Sequence, residues 1–259
     1  MTYEKLSAPF LTDFPDEWYQ YNLNDHFWFE WRLRILRNLL FDNALPTGAA
    51  LRGLEIGCGV AFFRLQAESI TQWTVDAADL NEPALQKAAA SLGRTLLYNI
   101  EDRHASLKEH YDVIFLFDVL EHISDPGKFL EAALWHLKKG GFLVINVPAL
   151  QPLYSRYDEL VGHFVRYDSG SMRRLLQLPS HGLEILDLRY WGLSLVPVAW
   201  LRKIILRASP TPQHAVNKGF KTSRFINFIF RAQMRIETFL LRHPPAGTSL
   251  MVLARKRGT

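Results

Sequence analysis

Two glycines one residue apart, Gly57 and Gly59, with an acid two places ahead at Glu55, are the first residues whose types and spacing suggest chemistry. They sit where a short apolar run, 51–56, hands over to a helix-like segment, 61–70. Glycine there lets the backbone turn tightly and approach a ligand closely, because no Cβ intervenes. Such turns at the carboxyl ends of parallel strands make nucleotide pockets. Asp79 closes the next strand-like run 22 residues after Gly57, where a carboxylate can accept both hydroxyls of an adenosine ribose. Turn and acid together predict an adenosine-bearing ligand.

The neighbouring residues choose among such ligands. A dinucleotide turn needs a third small residue three places after its second glycine. Phe62 holds that place, and the small residue, Ala61, falls two places after Gly59. Glu55 is also an unsuitable neighbour for a pyrophosphate but compatible with a cationic sulfonium, so the pattern points to S-adenosylmethionine (SAM). Methyl transfer from SAM is an in-line attack on a carbon activated by positive sulfur. The protein must align the nucleophile, exclude water and, for a hydroxyl acceptor, remove a proton. Two histidines are candidates for that base: His122, just past the run 111–117, and His163 in the segment 162–168. An imidazole can exchange a proton near neutral pH. Arg166 could bind an anionic acceptor or a carboxylate such as Asp158, and Tyr167 joins it as an acceptor-binding candidate. Asp118, Glu121 and His122 could hold a magnesium ion, but acids at such places more often cap helices or bind backbone, and no metal is expected.

The elements that must position these residues alternate. Strand-like runs at 51–56, 72–80, 95–98, 111–117 and 142–147 are separated by helix-like segments at 61–70, 83–92 and 125–139. Asn81 is a plausible N-cap, Pro126 opens the last of these helices and Gly140-Gly141 ends it. This alternation predicts a parallel sheet covered by helices. Two further strands are expected at 182–190 and 249–254, separated by a patterned, partly helical stretch too long for a loop. The chain then reads as one domain: a helical lid (1–48), a SAM-binding core (49–150) and an acceptor-binding part (151–259) with a helical insertion at about 192–246.

Composition narrows the class. With 259 residues, 48% hydrophobic and 22% charged, the chain can bury a large core. A lone cysteine, Cys58, rules out an internal disulfide framework, and the start MTYEKLSAPF lacks an apolar signal, so a reducing cytoplasm is expected. No apolar run reaches the length of a membrane span; the best, 192–201, is stopped by Arg202 and Lys203. From Leu188 onward there are 13 Lys and Arg against one acid, Glu237. Such a basic region suits anionic lipid, nucleic acid or a phosphorylated substrate, or is simply a solvated face. The segment 192–207 could lie in a membrane interface or form a wall of the acceptor pocket.

LEIGCGVA (54–61) resembles the first motif of class I SAM-dependent methyltransferases, with Ala61 replacing the usual third glycine. Asp79 in VDAADLN falls on that family's ribose-binding acid, and residues 111–148 resemble its later motifs. HFWFEWR (26–32) is similar to the lid helix that covers SAM in one bacterial subgroup, GHFVRYD (162–168) to that subgroup's Gly-His-x-x-Arg-Tyr motif, and PPAGTSLMVLARK (244–256) to its final strand. The resemblance implies an α/β, doubly wound, Rossmann-like sheet of seven mostly parallel strands with an antiparallel last strand. It implies cofactor contacts at Glu55, Gly57, Gly59 and Asp79, with Cys58, Leu80 and Phe117 beside them. Near the adenine the matching position is Asn99, next to Ile100 and followed by Glu101 and Asp102. Trp28 and Arg32 would be lid residues, or merely part of an aromatic-packed amphipathic helix.

The expected function is methyl transfer from SAM to oxygen, with His163 or His122 as base, on a small-molecule, sugar or lipid-linked acceptor. Peripheral membrane contact through 192–207 stays open. A nucleic-acid methyltransferase is the first rival, but no Asn/Asp-Pro-Pro-Tyr/Phe motif follows the run 111–117. A non-catalytic partner subunit is the second, and the intact cofactor motifs argue against it.

Overall fold

In chain order the strands are β1 (Glu4–Lys5), β2 (Arg52–Ile56), β3 (Thr74–Asp79), β4 (Thr95–Leu97), β5 (Tyr111–Phe117), β6 (Leu137–Pro148), β7 (Leu183–Trp191) and β8 (Ser249–Lys256). They form one sheet in the order β1-β4-β3-β2-β5-β6-β8-β7, with β8 antiparallel to both β6 and β7 and the other pairings parallel. The computed structural model describes residues 3–8, 26–206 and 223–258, so 9–25 of the expected lid and 207–222 of the expected insertion lie outside the described residues.

β5 lies mid-sheet because it is apolar on both faces, the mark of a parallel strand covered on both sides. Ile114 and Leu116 enter one core, while Val113, Phe115 and Phe117 enter the other. The helices are α1 (Phe27–Asp42), α2 (Phe62–Ile70), α3 (Glu82–Gln86), α4 (Pro126–His136), α5 (Arg156–Leu160), α6 (Ser169–Leu176), α7 (Val196–Leu206) and α8 (Arg224–Leu240). Trp31, Leu36 and Leu39 of α1, Phe63 of α2 and Met234 of α8 fill one core. Leu130, Ala133 and Leu134 of α4, with Met172 and Leu176 of α6, fill the other. The caps follow the sequence: Asn81 Oδ1 accepts the Ala84 N–H at 2.9 Å, and Asp125 accepts the Lys128 N–H ahead of Pro126.

Three expectations are corrected. The sheet has eight strands rather than seven, because Glu4 and Lys5 pair with Leu96 and Leu97 at its edge. β6 starts at Leu137, so Gly140-Gly141 lies inside a strand and does not end the preceding helix. The helix expected over 83–92 stops at Gln86. Gly93 explains this stop: a Cβ there would lie 2.0 Å from the Val75 carbonyl oxygen, so the chain must leave the helix to press against β3. The buried Arg64 guanidinium then collects the Ala89, Gly93 and Arg94 carbonyls, supplying the donors those carbonyls lack outside a helix. No helix among the described residues is long and apolar enough to cross a membrane.

Candidate active site

Loops at the carboxyl ends of β2, β3 and β5 surround a cavity of about 290 Å³. Gly57, with φ of 73°, cannot be replaced there without strain, and a Cβ would fall 2.6 Å from Val119 Cγ2. Ala61, N-cap of α2, sits at φ 55°, a left-handed conformation that costs a residue with a Cβ about 1–2 kcal/mol. Asp79 accepts the Gly59 and Asn81 N–H groups at 2.6 and 2.8 Å, which ties the glycine turn to the end of β3. A carboxylate offers about four acceptor sites, so capacity for a ribose remains. Glu55 accepts the Arg64 N–H at 3.0 Å, and burial, opposed by Arg32 and Arg64, pushes its carboxyl up to about 8.

α1 closes this cavity. Arg32 is buried, donates to Asp118 at 2.7 Å, and lies among the rings of Trp28, Phe29, Phe63 and Phe117, 4.9–5.5 Å from their centroids. Asp118, at φ 58° just past β5, also accepts from Asn146 Nδ2, whose Oδ1 in turn accepts from Trp191 Nε1. Lid and sheet are thus joined through one carboxylate.

A second cavity, about 370 Å³, opens on the other side of Asp118 and is walled by α1, α5, α7 and α8. Phe29, Asp118 and His122 line both cavities. His163 donates through Nδ1 to Asp158 at 2.9 Å, leaving Nε2 as the acceptor, 3.9 Å from Glu121 Oε1. Asp158 is buried and takes three further hydrogen bonds, from Arg166 Nε and from the Ser155 N–H and hydroxyl. Burial alone would raise its pKa, but the bonds from His163 and Arg166 prevail and hold it well below the usual carboxylate range. Glu121 goes the other way: burial and then Asp118 push it far up, and its Oε2 has no partner. His122 donates through Nδ1 to the Gly162 carbonyl at 3.1 Å, and burial, then His163, press its pKa down to about 4.

Of the residues singled out by sequence, Glu55, Gly57, Cys58, Gly59, Asp79, Phe117 and Arg32 line the first cavity, with His122. Trp28, His163 and Arg166 line the second, again with His122. Leu80, Asn99, Ile100 and Tyr167 line neither. Asn99 instead accepts the Glu101 N–H at 3.0 Å, capping a short turn; Ile100 is buried in the core; and Tyr167 donates its hydroxyl to the Leu120 carbonyl at 3.2 Å. Arg166 takes the second of the roles open to it, pairing with Asp158. The segment at 192–207 contributes Leu195, Val198, Ala199 and Arg202 to the second cavity, Arg202 stacking 4.3 Å over the Tyr157 ring. Asp118 and Asp158 carry more of the site than sequence reading assigned them; their place beside Phe117 and His163 was the available signal.

A family model described as a methyltransferase domain matches residues 19–188. The chain belongs to that family. It is a SAM-dependent methyltransferase, and SAM is its cofactor. Among curated proteins this methyltransferase is 34% identical over 116 residues to a ubiquinone biosynthesis O-methyltransferase of Ruegeria sp. (strain TM1040), covering 41% of this chain and 46% of the relative. It is 36% identical over 103 residues to the protein of the same name from Cereibacter sphaeroides (strain ATCC 17029 / ATH 2.4.9), covering 37% and 40%. The matches span less than half the length of these relatives. Among solved structures, a SAM-dependent methyltransferase from Mesorhizobium loti superposes with a TM-score of 0.52 at 17% identity, over 84% of this chain and 96% of that one. The [4+2]-cyclase SpnF gives 0.56 at 16%, over 86% and 80%. The fold is shared even with a cyclase, so the fold alone names no reaction.

Proposed function

We propose that this methyltransferase moves the SAM methyl group to an oxygen of a small-molecule acceptor, with His163 as general base. The observation that carries the reading is the meeting of the two cavities at Phe29, Asp118 and His122, with His163 on the acceptor side. SAM in the first cavity and acceptor in the second would face each other there. His163 Nε2 takes the hydroxyl proton as oxygen attacks the methyl carbon, and the sulfur leaves with the bonding pair as S-adenosylhomocysteine. Asp158 fixes the Nδ1–H tautomer and offsets the charge of the imidazolium that forms.

The names of the relatives, ubiquinone biosynthesis O-methyltransferases, support oxygen and a small acceptor. Phe27, Trp28, Leu195, Val198 and Phe230 around the second cavity favour an apolar or lipid-linked acceptor over a sugar, and give nucleic acid no polar track. The lid, core and acceptor-binding division of the chain and a cytoplasmic location belong to the same proposal. The test is calorimetry with S-adenosylhomocysteine alongside labelling of an extract with methyl-labelled SAM. Asp79→Ala should weaken binding at least tenfold, whereas His163→Asn should leave binding within about twofold and lower labelling about 100-fold or more. Wild-type affinity in Asp79→Ala, or wild-type labelling in His163→Asn, overturns the reading.

One arrangement favours a second reading. Glu121, His122 and His163 each offer a donor atom within 4.8 Å of the other two, and Glu121 Oε2 is buried without a partner. A divalent ion fits such a set. Labelling unchanged by EDTA supports the base, and labelling lost with EDTA and restored by zinc or another first-row transition-metal ion supports the ion.

A further inference from the structure

Large apolar side chains exposed among the described residues are mostly on α7 and α8. On α8, Phe225, Phe228, Ile229, Ile236, Phe239 and Leu240 recur at spacings of three, four and seven, so they form one stripe along the helix. Met234 and Glu237, the buried residues of α8, lie on the opposite side. The stripe faces away from the core, and Phe239 is 87% exposed. α7 adds Trp200, Leu201, Ile204 and Ile205, each 44–58% exposed. The stripe on α8 marks an interaction surface, and α7 joins it at the second cavity, which Val198, Ala199 and Phe230 line together.

We propose that the outer face of α7 and α8 docks on the surface of an anionic lipid bilayer. Charge chooses this occupant. Arg224 and Arg235 flank the stripe on one side, and no acid is exposed anywhere on the two helices. The single acid, Glu237, is spent inside, where it accepts the N–H groups of Gly192, Leu193 and Ser194. A second copy of the chain would bring two basic, acid-free faces together. A helix with aromatic and aliphatic residues on one side and arginine at its edge is the form that lies in a membrane interface. At 17 residues α8 is about 25 Å long, too short to span and sufficient to lie flat. Val198 lines the second cavity and is 44% exposed, so cavity and docking face adjoin. An acceptor dissolved in the bilayer would then enter without crossing water, a step that rests on the acceptor reading above, whereas docking does not.

The test is co-sedimentation of the full chain with vesicles of phosphatidylcholine alone and of phosphatidylcholine mixed with phosphatidylglycerol. The anionic vesicles should bind about tenfold more protein or better, less so at high salt. The exposed triple variant Phe228→Ser, Ile236→Ser, Phe239→Ser should lose that binding, and Arg224→Glu with Arg235→Glu should lose the preference for anionic lipid. Both should keep wild-type affinity for S-adenosylhomocysteine, which certifies the fold and separates docking from catalysis. Absence of vesicle binding, equal binding to both compositions, or undiminished binding by the triple variant overturns the proposal. So does a dimer in solution that the triple variant breaks, or coverage of the stripe by residues 9–25, read as protection of α8 from hydrogen exchange without lipid.

Discussion

His163 takes its orientation from Asp158, and Asp158 is held by donors on both oxygens. Replacing it with Asn removes the charge that Arg166 pairs with and frees the imidazole to adopt either tautomer. Asp158→Asn should therefore lower turnover by at least about 100-fold while S-adenosylhomocysteine affinity stays within twofold. It should also lower stability by roughly 3–5 kcal/mol, because Arg166 is left as an uncompensated buried charge. Equal loss of turnover and cofactor binding would mean that the variant had merely unfolded the site. On the cofactor side, Glu55 in the free protein titrates near 8, so below that pH it is mostly protonated. A cationic ligand favours the ionised form. S-adenosylhomocysteine, which keeps the ammonium group, should bind up to about tenfold more tightly at pH 8.5 than at pH 7, with proton release detected as a buffer-dependent binding enthalpy. In Glu55→Gln both the pH dependence and the released proton should vanish.

α1 joins the sheet through Arg32, whose partner Asp118 is 86 residues away in sequence. Arg32→Met keeps the length of the side chain and its contact with the aromatic rings but strands Asp118, itself raised in pKa by burial against the pull of Arg32 and Asn146. Asp118 is about a third exposed and keeps its bond from Asn146, so the expected loss is roughly 1–3 kcal/mol, with faster hydrogen exchange in α1 than in β5; uniform exchange across both would show that Arg32 does not anchor the lid. At this scale much was legible. β5, the turn at Gly57 and the caps at Asn81 and Asp125 rest on local signals, apolar runs, glycine spacing and capping residues, whereas the antiparallel β8 followed from the family resemblance. What escaped rests on distant partners. β1 is two charged residues with no alternation to read, and it exists because β4 leaves an edge to pair with. The helix at 83–92 has good formers throughout, yet contact of Gly93 with Val75 and the reach of Arg64 override propensity. Arg32 with Asp118, and the cavities meeting there, follow from the assembled sheet and lid and from no local pattern.

Across the whole molecule, imidazoles buried in neutral form should cost stability as pH falls, while the buried Glu55 and Glu121 act in the opposite direction. His136, fully buried at the end of α4, donates through Nδ1 to the Ala132 carbonyl at 2.8 Å and accepts the Tyr98 hydroxyl at Nε2, 2.7 Å away. Burial, opposed by those carbonyl bonds, presses its pKa from 6.5 to about 4. The unfolded chain therefore binds a proton between these values that the folded chain refuses, and the slope of stability with pH is positive there. The His136 contribution is complete above about 6.5 and is lost as pH drops toward 4, by about 3 kcal/mol at 1.36 kcal/mol per unit. His122 shifts in the same direction, but it is partly exposed where it lines both cavities, so its contribution is smaller. Glu55 and Glu121, raised in pKa by burial, act with the opposite sign over this window, so the His136 contribution is read as the difference in urea midpoint between the wild type and a variant that lacks the imidazole. In His136→Gln, whose amide can replace both hydrogen bonds without titrating, this term should vanish, so the variant should gain about 3 kcal/mol relative to the wild type between pH 6.5 and 4. A slope unchanged in that variant would mean that His136 stays neutral in both states, or that acid acts through another group. Because His136 lies in the core opposite the lid, its variant should leave S-adenosylhomocysteine binding at pH 7.5 untouched, which separates acid sensitivity of the fold from that of the site.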